Sequence, residues 1–167
     1  MHYIKGRYDI AMGDYDSGIA NIEKSIFLAQ KLNAHKNLLA CYKQQVFHGI
    51  QREDLEKVDK YVTLGLGCIK KEERDEYATF LRLKGWYHVQ RQEYRMAEDV
   101  LQKALMVFRE LEDGGGKYTA SIAACFNYIG DIYRIQDRYD EALEYYMKGI
   151  TVGQGPVETN GIGQVYC

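Results

Sequence analysis

Apolar side chains recur along the chain at the three- and four-residue intervals of an amphipathic α-helix. Between Phe126 and Gly149, bulky and small residues fall on single faces of two successive helical segments. Interlocking helices set a bulky side chain on one against glycine or alanine on the other, because their axes lie about 8–10 Å apart. The pattern therefore predicts a closely packed pair of helices in this stretch.

The same arrangement recurs three times upstream. Small or apolar residues of the second helices stand 40, 39 and 45 residues apart, at Gly18, Val58, Ala97 and Ala142. Each lies 12 residues after its counterpart in the first helix, at Gly6, Val46, Gly85 and Gly130. We therefore expect one domain of about four repeats, over residues 1–34, 36–71, 73–112 and 117–153, with residues 157–167 beginning a fifth helix pair or a C-terminal cap.

The last unit closely resembles the tetratricopeptide repeat signature, W-x2-L-G-x2-Y followed by A-x3-F. The signature positions hold Phe126, Ile129, Gly130, Tyr133, Ala142 and Tyr146. The resemblance implies an all-α fold, a right-handed α-solenoid of antiparallel helix pairs. The family unit is usually about 34 residues long. Longer, degenerate units such as these resemble the repeats of bacterial transcriptional regulators and sensor proteins.

Composition narrows the class of protein. Hydrophobic residues make up 46% of the 167 and there is a single Pro, which argues against disorder. The net charge of −2 gives no bulk reason to expect direct binding to nucleic acid or to an anionic membrane. No apolar run approaches the roughly 20 residues that span a bilayer. The N-terminus lacks a signal-peptide core, so we expect a cytoplasmic location.

The candidate chemistry is sparse. The cysteines are widely spaced without a C-x-x-C pair, so we expect free thiols in a reducing compartment and no zinc site. The four histidines form no metal or catalytic motif, and we expect His88 to be a packing residue with one hydrogen bond. The run Gly114–Lys117 follows no strand and lacks the P-loop spacing. We therefore expect no enzyme activity, no metal and no cofactor.

Several local expectations can be checked against the structure. Asn33 or Asn37 is expected to cap the third helix. Residues 49–54 are expected to form a turn, and the charged run 70–76 is expected to be a solvated link that starts the next helix. Gly65 and Gly67 should each weaken their helix by about 1 kcal/mol relative to alanine.

The resemblance also implies a binding surface, since first helices line the concave face in such solenoids. Arginine binds carboxylates through two hydrogen bonds, and aromatic side chains supply apolar anchors, so the surface suits a peptide with acidic or C-terminal carboxylate character. For Phe47 we favour packing against a neighbouring first helix, and for Trp86 packing and binding are equally expected. The candidate peptide-binding residues are Arg7, Lys43, Phe47, Arg82, Trp86, Gln90, Asn127, Asp131 and Arg134.

These features favour a scaffold that binds a protein or peptide. We expect it to be the regulatory or sensory segment of a larger cytoplasmic signalling or transcription-regulatory protein, in which an adjoining effector domain could be the partner. Two alternatives stay open: a stand-alone adaptor of co-chaperone type that grips a peptide C-terminus, and a homodimerisation module.

Overall fold

The computed structural model describes residues 1–154, which form eight α-helices and no strand. Each odd-numbered helix packs most extensively on the even-numbered helix that follows it. The predicted all-α stack of helix pairs is therefore confirmed; the predicted fifth pair or cap at 157–167 lies outside the described residues. The helices are α1 His2–Ala11, α2 Tyr15–Lys31, α3 His35–Gln51, α4 Leu55–Cys68, α5 Arg74–Gln90, α6 Tyr94–Leu111, α7 Thr119–Ile135 and α8 Tyr139–Gln154.

The first helix of every pair ends in the same turn. After α3, the Glu53 N–H donates to the Ile50 carbonyl (3.2 Å) and the Asp54 N–H to the Gly49 carbonyl (2.9 Å). These two bonds satisfy carbonyls that the helix end leaves free, and they require a left-handed residue, here Glu53 with φ 55°. The equivalent left-handed residues after α1, α5 and α7 are Gly13, Gln92 and Asp137. The spacings of 40, 39 and 45 residues seen in the sequence are thus also the spacings between these left-handed turn residues.

Two of the second helices begin with a side-chain cap. The carboxylate of Asp14 accepts the Ser17 N–H at the start of α2 (3.2 Å). The carboxylate of Asp54 accepts the Lys57 N–H at the start of α4 (3.0 Å). Each bond satisfies one of the free N–H groups of a first turn, which contributes about 1 kcal/mol.

Small residues allow the two helices of a pair to approach each other closely. A Cβ placed on Gly85 would lie 2.4 Å from Leu101 Cγ, and one placed on Gly130 would lie 2.7 Å from Tyr146 Cε1. Both distances are too short for real atoms, so only glycine fits. These contacts join first-helix and second-helix positions of the repeat signature, as the sequence pattern predicts.

Between the pairs, apolar clusters hold successive units together. One cluster joins α3, α4 and α5 through residues that include Tyr42, Val62 and Phe80. A second joins α5, α6 and α7 and is centred on Phe108 and Phe126. Since these clusters are continuous from unit to unit, each pair buries an apolar face that it could not bury alone.

Three local expectations were wrong. The N-cap of α3 is Ala34, with no side-chain cap; Asn33 instead adopts the left-handed conformation (φ 52°) that ends α2. Gly49 belongs to α3, which continues to Gln51, so the turn is confined to residues 52–54. The charged run 70–76 does start α5, at Arg74, but the expectation that it is only a solvated link is wrong, because Glu73 and Glu76 contact His35 and Lys43 on α3.

One chemical expectation is confirmed. His88 is buried, with 5% of its surface exposed, and its Nδ1 lies 2.6 Å from the Glu93 carboxylate. That hydrogen bond is the largest cause of a lowered pKa for Glu93. His88 thus packs inside the α5–α6 pair, with one hydrogen bond.

Candidate functional site

The candidate residues lie on the odd-numbered helices or at their ends, and we call the surface they form the first-helix face. The odd-numbered helices approach one another directly, since α5 contacts α7 and an ion pair links α3 to α5. Side chains from successive units can therefore act together on this face. It is the surface on which a bound polypeptide would touch more than one repeat.

Lys43 is already engaged by the next unit. Its Nζ lies 2.7 and 2.8 Å from the two carboxylate oxygens of Glu76 on α5. Both side chains are about a quarter exposed, at 26% and 28%. Glu76 could not be recognised as a partner from the sequence alone, because it lies in a charged run whose register against Lys43 is not apparent. The pair makes this part of the face electrically neutral.

Arg82 occupies the position equivalent to Lys43, 39 residues later, and it has no such partner. The residue equivalent to Glu76 is Ser121, 45 residues later, which carries no charge. Arg82 is half-buried, and its Nε is buried without a hydrogen-bond partner. Within residues 1–154 it forms no ion pair. Its guanidinium is therefore free to bind an acidic group.

The charge of Arg82 also affects the pKa of Cys125 on α7. Burial raises the pKa of that thiol to about 12, and the positive charge of Arg82 acts in the opposite direction. Arg82 is thus near enough to α7 for its charge to act on Cys125.

Two aromatic residues occupy equivalent positions on the first-helix face. Phe47 on α3 is 41% exposed, contrary to the expectation that it packs against a neighbouring helix. Trp86 on α5 is half-buried and packs against the cluster around Phe80. The Phe47 ring is therefore available to a ligand, and the Trp86 ring is available only along part of its surface.

The last unit contributes a polar network instead of an aromatic ring. Asp131 accepts a hydrogen bond from the Tyr146 hydroxyl (2.7 Å), and the Arg134 Nε lies 3.6 Å from the same carboxylate oxygen. Burial, followed by the bond to Asp131, raises the pKa of Tyr146. Arg134 is thus partly neutralised by Asp131 and is a weaker candidate than Arg82.

The remaining candidates lie at the borders of the face. The Arg7 guanidinium lies over the Tyr3 ring, 5.8 Å from its centroid, and the side chain is exposed. Gln90 is exposed at the end of α5. Asn127 is exposed, and its Oδ1 lies 2.8 Å from the place where a Cβ on Gly149 would stand. Lys43, Phe47, Arg82 and Trp86 thus lie on α3 and α5, and the other candidates lie on α1, at the end of α5 and on α7.

Within residues 1–154, no three His, Cys, Asp or Glu side chains are arranged so that they could hold a metal ion. The helices in the same range include none with the length and apolarity needed to cross a bilayer. The thiol of Cys41 is fully buried, and burial raises its pKa to about 11, so it is a poor nucleophile.

Comparisons with known proteins agree with this geometry. The tetratricopeptide repeat family model matches residues 122–154, which span most of α7 and all of α8. The whole fold is similar to the crystal structure of BtubC (BKLC) from P. vanneervenii, with a TM-score of 0.82 at 11% sequence identity. That similarity covers 99% of this chain and 67% of BtubC, and at this identity it shows the fold alone. No curated protein sequence matches the chain. The resemblance to tetratricopeptide repeats is thus confirmed.

Proposed function

We propose that this chain is a protein-interaction scaffold and that its first-helix face binds a peptide carrying an acidic group. The proposal rests on the side chain of Arg82. This side chain is half-buried, it forms no ion pair within residues 1–154, and its Nε has no hydrogen-bond partner there. A guanidinium that no carboxylate neutralises offers charge-assisted hydrogen bonds to a ligand, and these are stronger than bonds between neutral groups. A carboxylate is the natural ligand, because it can accept two parallel bonds from the guanidinium fork.

Two aromatic side chains lie on the first-helix face with Arg82. Trp86 lies one helical turn after Arg82 on α5, and Phe47 occupies the equivalent position on α3. Partly exposed aromatic rings near a cation supply apolar contact area at low cost in side-chain entropy. The expected ligand is therefore an extended or helical segment with an acidic residue next to an apolar one.

The proposed wider role is regulatory or sensory. Tetratricopeptide repeats commonly mediate interactions between proteins, and the match at residues 122–154 supports such a role here. We propose that the chain is a segment of a larger cytoplasmic signalling or transcription-regulatory protein. Its ligand would be a separate protein or an adjoining effector domain.

A co-chaperone-type adaptor is less well supported. Gripping a C-terminal carboxylate requires several free cations and amides that converge on one point. Lys43 is neutralised by Glu76, and Arg134 lies beside Asp131. A single free guanidinium at Arg82 suits one acidic side chain better than a terminal carboxylate clamp.

The decisive experiment selects peptides from a random library against the whole chain and then titrates the best binder. We expect Arg82→Ala and Trp86→Ala to weaken binding by roughly tenfold or more, as losses of central contacts do. Ser121→Glu should also weaken it, because it gives Arg82 the partner that Glu76 gives Lys43. Arg95→Ala, at an exposed position on α6, is the control and should bind as the wild type does. Equal affinity for all four variants would refute the proposed site.

Self-association is a second candidate, favoured by exposed apolar residues at both ends of the stack. Ile4 and Tyr8 on α1 are 74% and 62% exposed, and Leu143 and Met147 on α8 are 60% and 53% exposed. Light scattering of the wild type and of Leu143→Glu tests this role. A dimer that the substitution dissociates supports it, and a monomeric wild type at all concentrations rejects it.

A further inference from the structure

The two ends of the stack can be compared, position by position, with the junctions inside it. At each of the three inner junctions, a second helix packs on the first helix of the next pair. Among residues 1–154, no second helix lies before α1 and no first helix lies after α8. The outer faces of α1 and α8 are therefore the two halves of such a junction.

The outer face of α1 carries apolar residues at positions that are covered in a later first helix. Ile4 and Tyr8 are 74% and 62% exposed. Their equivalents on α5, 79 residues later, are Leu83 and Tyr87. Leu83 is 1% exposed and Tyr87 is half-buried, and both pack in the cluster that α5 forms with α3 and α4. Thus α1 presents the face with which a first helix packs on the preceding pair.

The outer face of α8 carries the other half of the contact. Ile150 is 52% exposed. Its equivalent on α6, 45 residues earlier, is Leu105, which is 4% exposed and lies in the cluster that joins α5, α6 and α7. Leu66, the equivalent on α4, packs against that cluster and also against the one that contains Phe80. This position is therefore covered where a further pair follows the second helix, and on α8 it is left exposed.

Other exposed apolar residues of the two end helices lie outside the junction. Met147 is 53% exposed, and its equivalent on α6, Gln102, stays exposed although α7 follows. Met12 is 69% exposed, and its equivalents after α3 and α5 are the exposed Arg52 and Arg91. Register therefore separates the apolar residues that belong to a junction from those that do not.

The charges of the two end helices are opposite. With His2 neutral, α1 has a net charge of +1, from two basic side chains and one acidic side chain. The net charge of α8 is −2, from three acidic side chains and one basic side chain. Contact between two α1 faces or between two α8 faces would bring like charges together, whereas contact of α8 with α1 brings opposite charges together. The partner that suits both faces is a second copy of this chain in head-to-tail order.

We propose that α8 of one copy packs on α1 of another copy, as α6 packs on α7 within the chain. Ile150 then meets the face formed by Ile4 and Tyr8, and it loses its exposure as Leu105 does. The contact is heterologous, because the two copies contribute different surfaces. The proposal rests on the self-association candidate above, whose two surfaces it names, and it does not depend on peptide binding at Arg82.

The test blocks each end separately and follows the mass of the whole chain by analytical ultracentrifugation. The wild type should associate as its concentration is raised. Ile4→Glu blocks the α1 face and Ile150→Glu blocks the α8 face, so each variant alone should be a monomer. An equimolar mixture of the two should double the mass and go no further, because each variant keeps one intact face. If either variant does not fold, Tyr8→Glu or Leu143→Glu replaces it, since Glu98, the equivalent of Leu143, also contacts α7.

Met12→Glu and Met147→Glu are the matched controls, because they place the same charge at exposed apolar positions outside the junction. Both should associate as the wild type does. A wild type that stays monomeric at every concentration overturns the proposal and rejects self-association as well. The head-to-tail contact alone is overturned if either blocked variant still dimerises by itself, if the mixture stays monomeric, or if the controls dissociate as the blocked variants do.

Discussion

The ring of Phe80 occupies the space beside Gly65 where any other residue would place its Cβ. A Cβ built on Gly65 would lie 2.1 Å from Phe80 Cε1, and Phe80 is fully buried. Gly65 is a second-helix residue of one unit and Phe80 is a first-helix residue of the next. This contact therefore sets how closely the second and third helix pairs approach each other.

Replacing Gly65 by alanine should destabilise the protein. Alanine favours a helix by about 1 kcal/mol over glycine, but here its methyl group forces a buried ring to move. Overpacking of this kind costs about 1–3 kcal/mol, so we expect a net loss of up to about 2 kcal/mol. Urea unfolding followed by circular dichroism measures the change.

Gly67→Ala is the matched control for that substitution. A Cβ at Gly67 would meet no atom within 4 Å, so alanine should add up to about 1 kcal/mol of stability there. In a double-mutant cycle with Phe80→Ala, Gly65→Ala should cost less than it does alone. A stabilising Gly65→Ala would show that the two units are not packed through this contact.

Gln45 should be replaceable by leucine with a gain in stability. Its side chain is fully buried, and neither its amide nitrogen nor its oxygen has a hydrogen-bond partner among residues 1–154. The equivalent residue of the last unit is Ile129, which is buried in the core. Removing an unsatisfied buried amide should stabilise the protein by about 1–2 kcal/mol, measured from the urea midpoint. Gln51→Leu, at the exposed end of α3, should change stability by less than about 0.5 kcal/mol. A less stable Gln45→Leu variant would indicate that a polar partner satisfies the amide.

The left-handed turn residues offer a second route to higher stability. Glu53 and Gln92 adopt φ of 55° and 60°, a conformation that costs side-chain-bearing residues about 1–2 kcal/mol. Glycine removes that cost, but it also gives the unfolded chain more conformational entropy, which lowers stability. The net effect of Glu53→Gly and of Gln92→Gly should each be a gain of about 0.5 kcal/mol in the free energy of unfolding. Gln136→Gly, at an ordinary φ of −89°, should instead lower the unfolding midpoint. If all three variants behave alike, the turn geometry described above is wrong.

The hydrogen bond between His35 and Glu73 should make the free energy of unfolding depend on pH. The His35 Nε2 lies 2.7 Å from the Glu73 carboxylate, and this hydrogen bond is the largest cause of a Glu73 pKa below its ordinary 4.5. Because the folded pKa is the lower one, the unfolded chain binds the proton first as pH falls. The contribution of Glu73 to the free energy of unfolding is therefore complete above about pH 5, and it is lost as pH falls below the pKa of Glu73 in the folded protein.

Comparison with Glu73→Gln isolates this contribution. The stability difference between the wild type and Glu73→Gln should shrink as pH falls below about 4.5. Glu72→Gln, one residue earlier and exposed, is the control and should leave the acid-unfolding profile unchanged. A difference that stays constant down to pH 3 would contradict the assignment.

The sequence was sufficient to predict the repeat architecture, because close helix packing demands small residues at fixed spacings. Gly85 and Gly130 recur with their partners Leu101 and Tyr146 in matching register, and each contact is present in the structure. The turns recur with the same periodicity, and the family match at residues 122–154 falls on the unit with the clearest signature.

The candidate site could be predicted only in part. The positions on the first helices follow from the register, but their pairing depends on which side chain the next unit supplies. Lys43 pairs with Glu76, whereas the residue equivalent to Glu76 in the next unit is Ser121, which carries no charge. The 45-residue spacing of the last unit, produced by the loop before α7, hides that difference in the linear sequence.

The central claim is that the first-helix face binds a peptide through Arg82, and 15N-labelled NMR spectra test it most directly. Addition of the selected acidic peptide should shift the backbone amide signals of α3 and α5 around Phe47, Arg82 and Trp86, and leave the exposed side of α4 and α6 unchanged. The Arg82 Nε–H signal should move with them. Shifts confined to α4, α6 or the ends of the stack would contradict the claim.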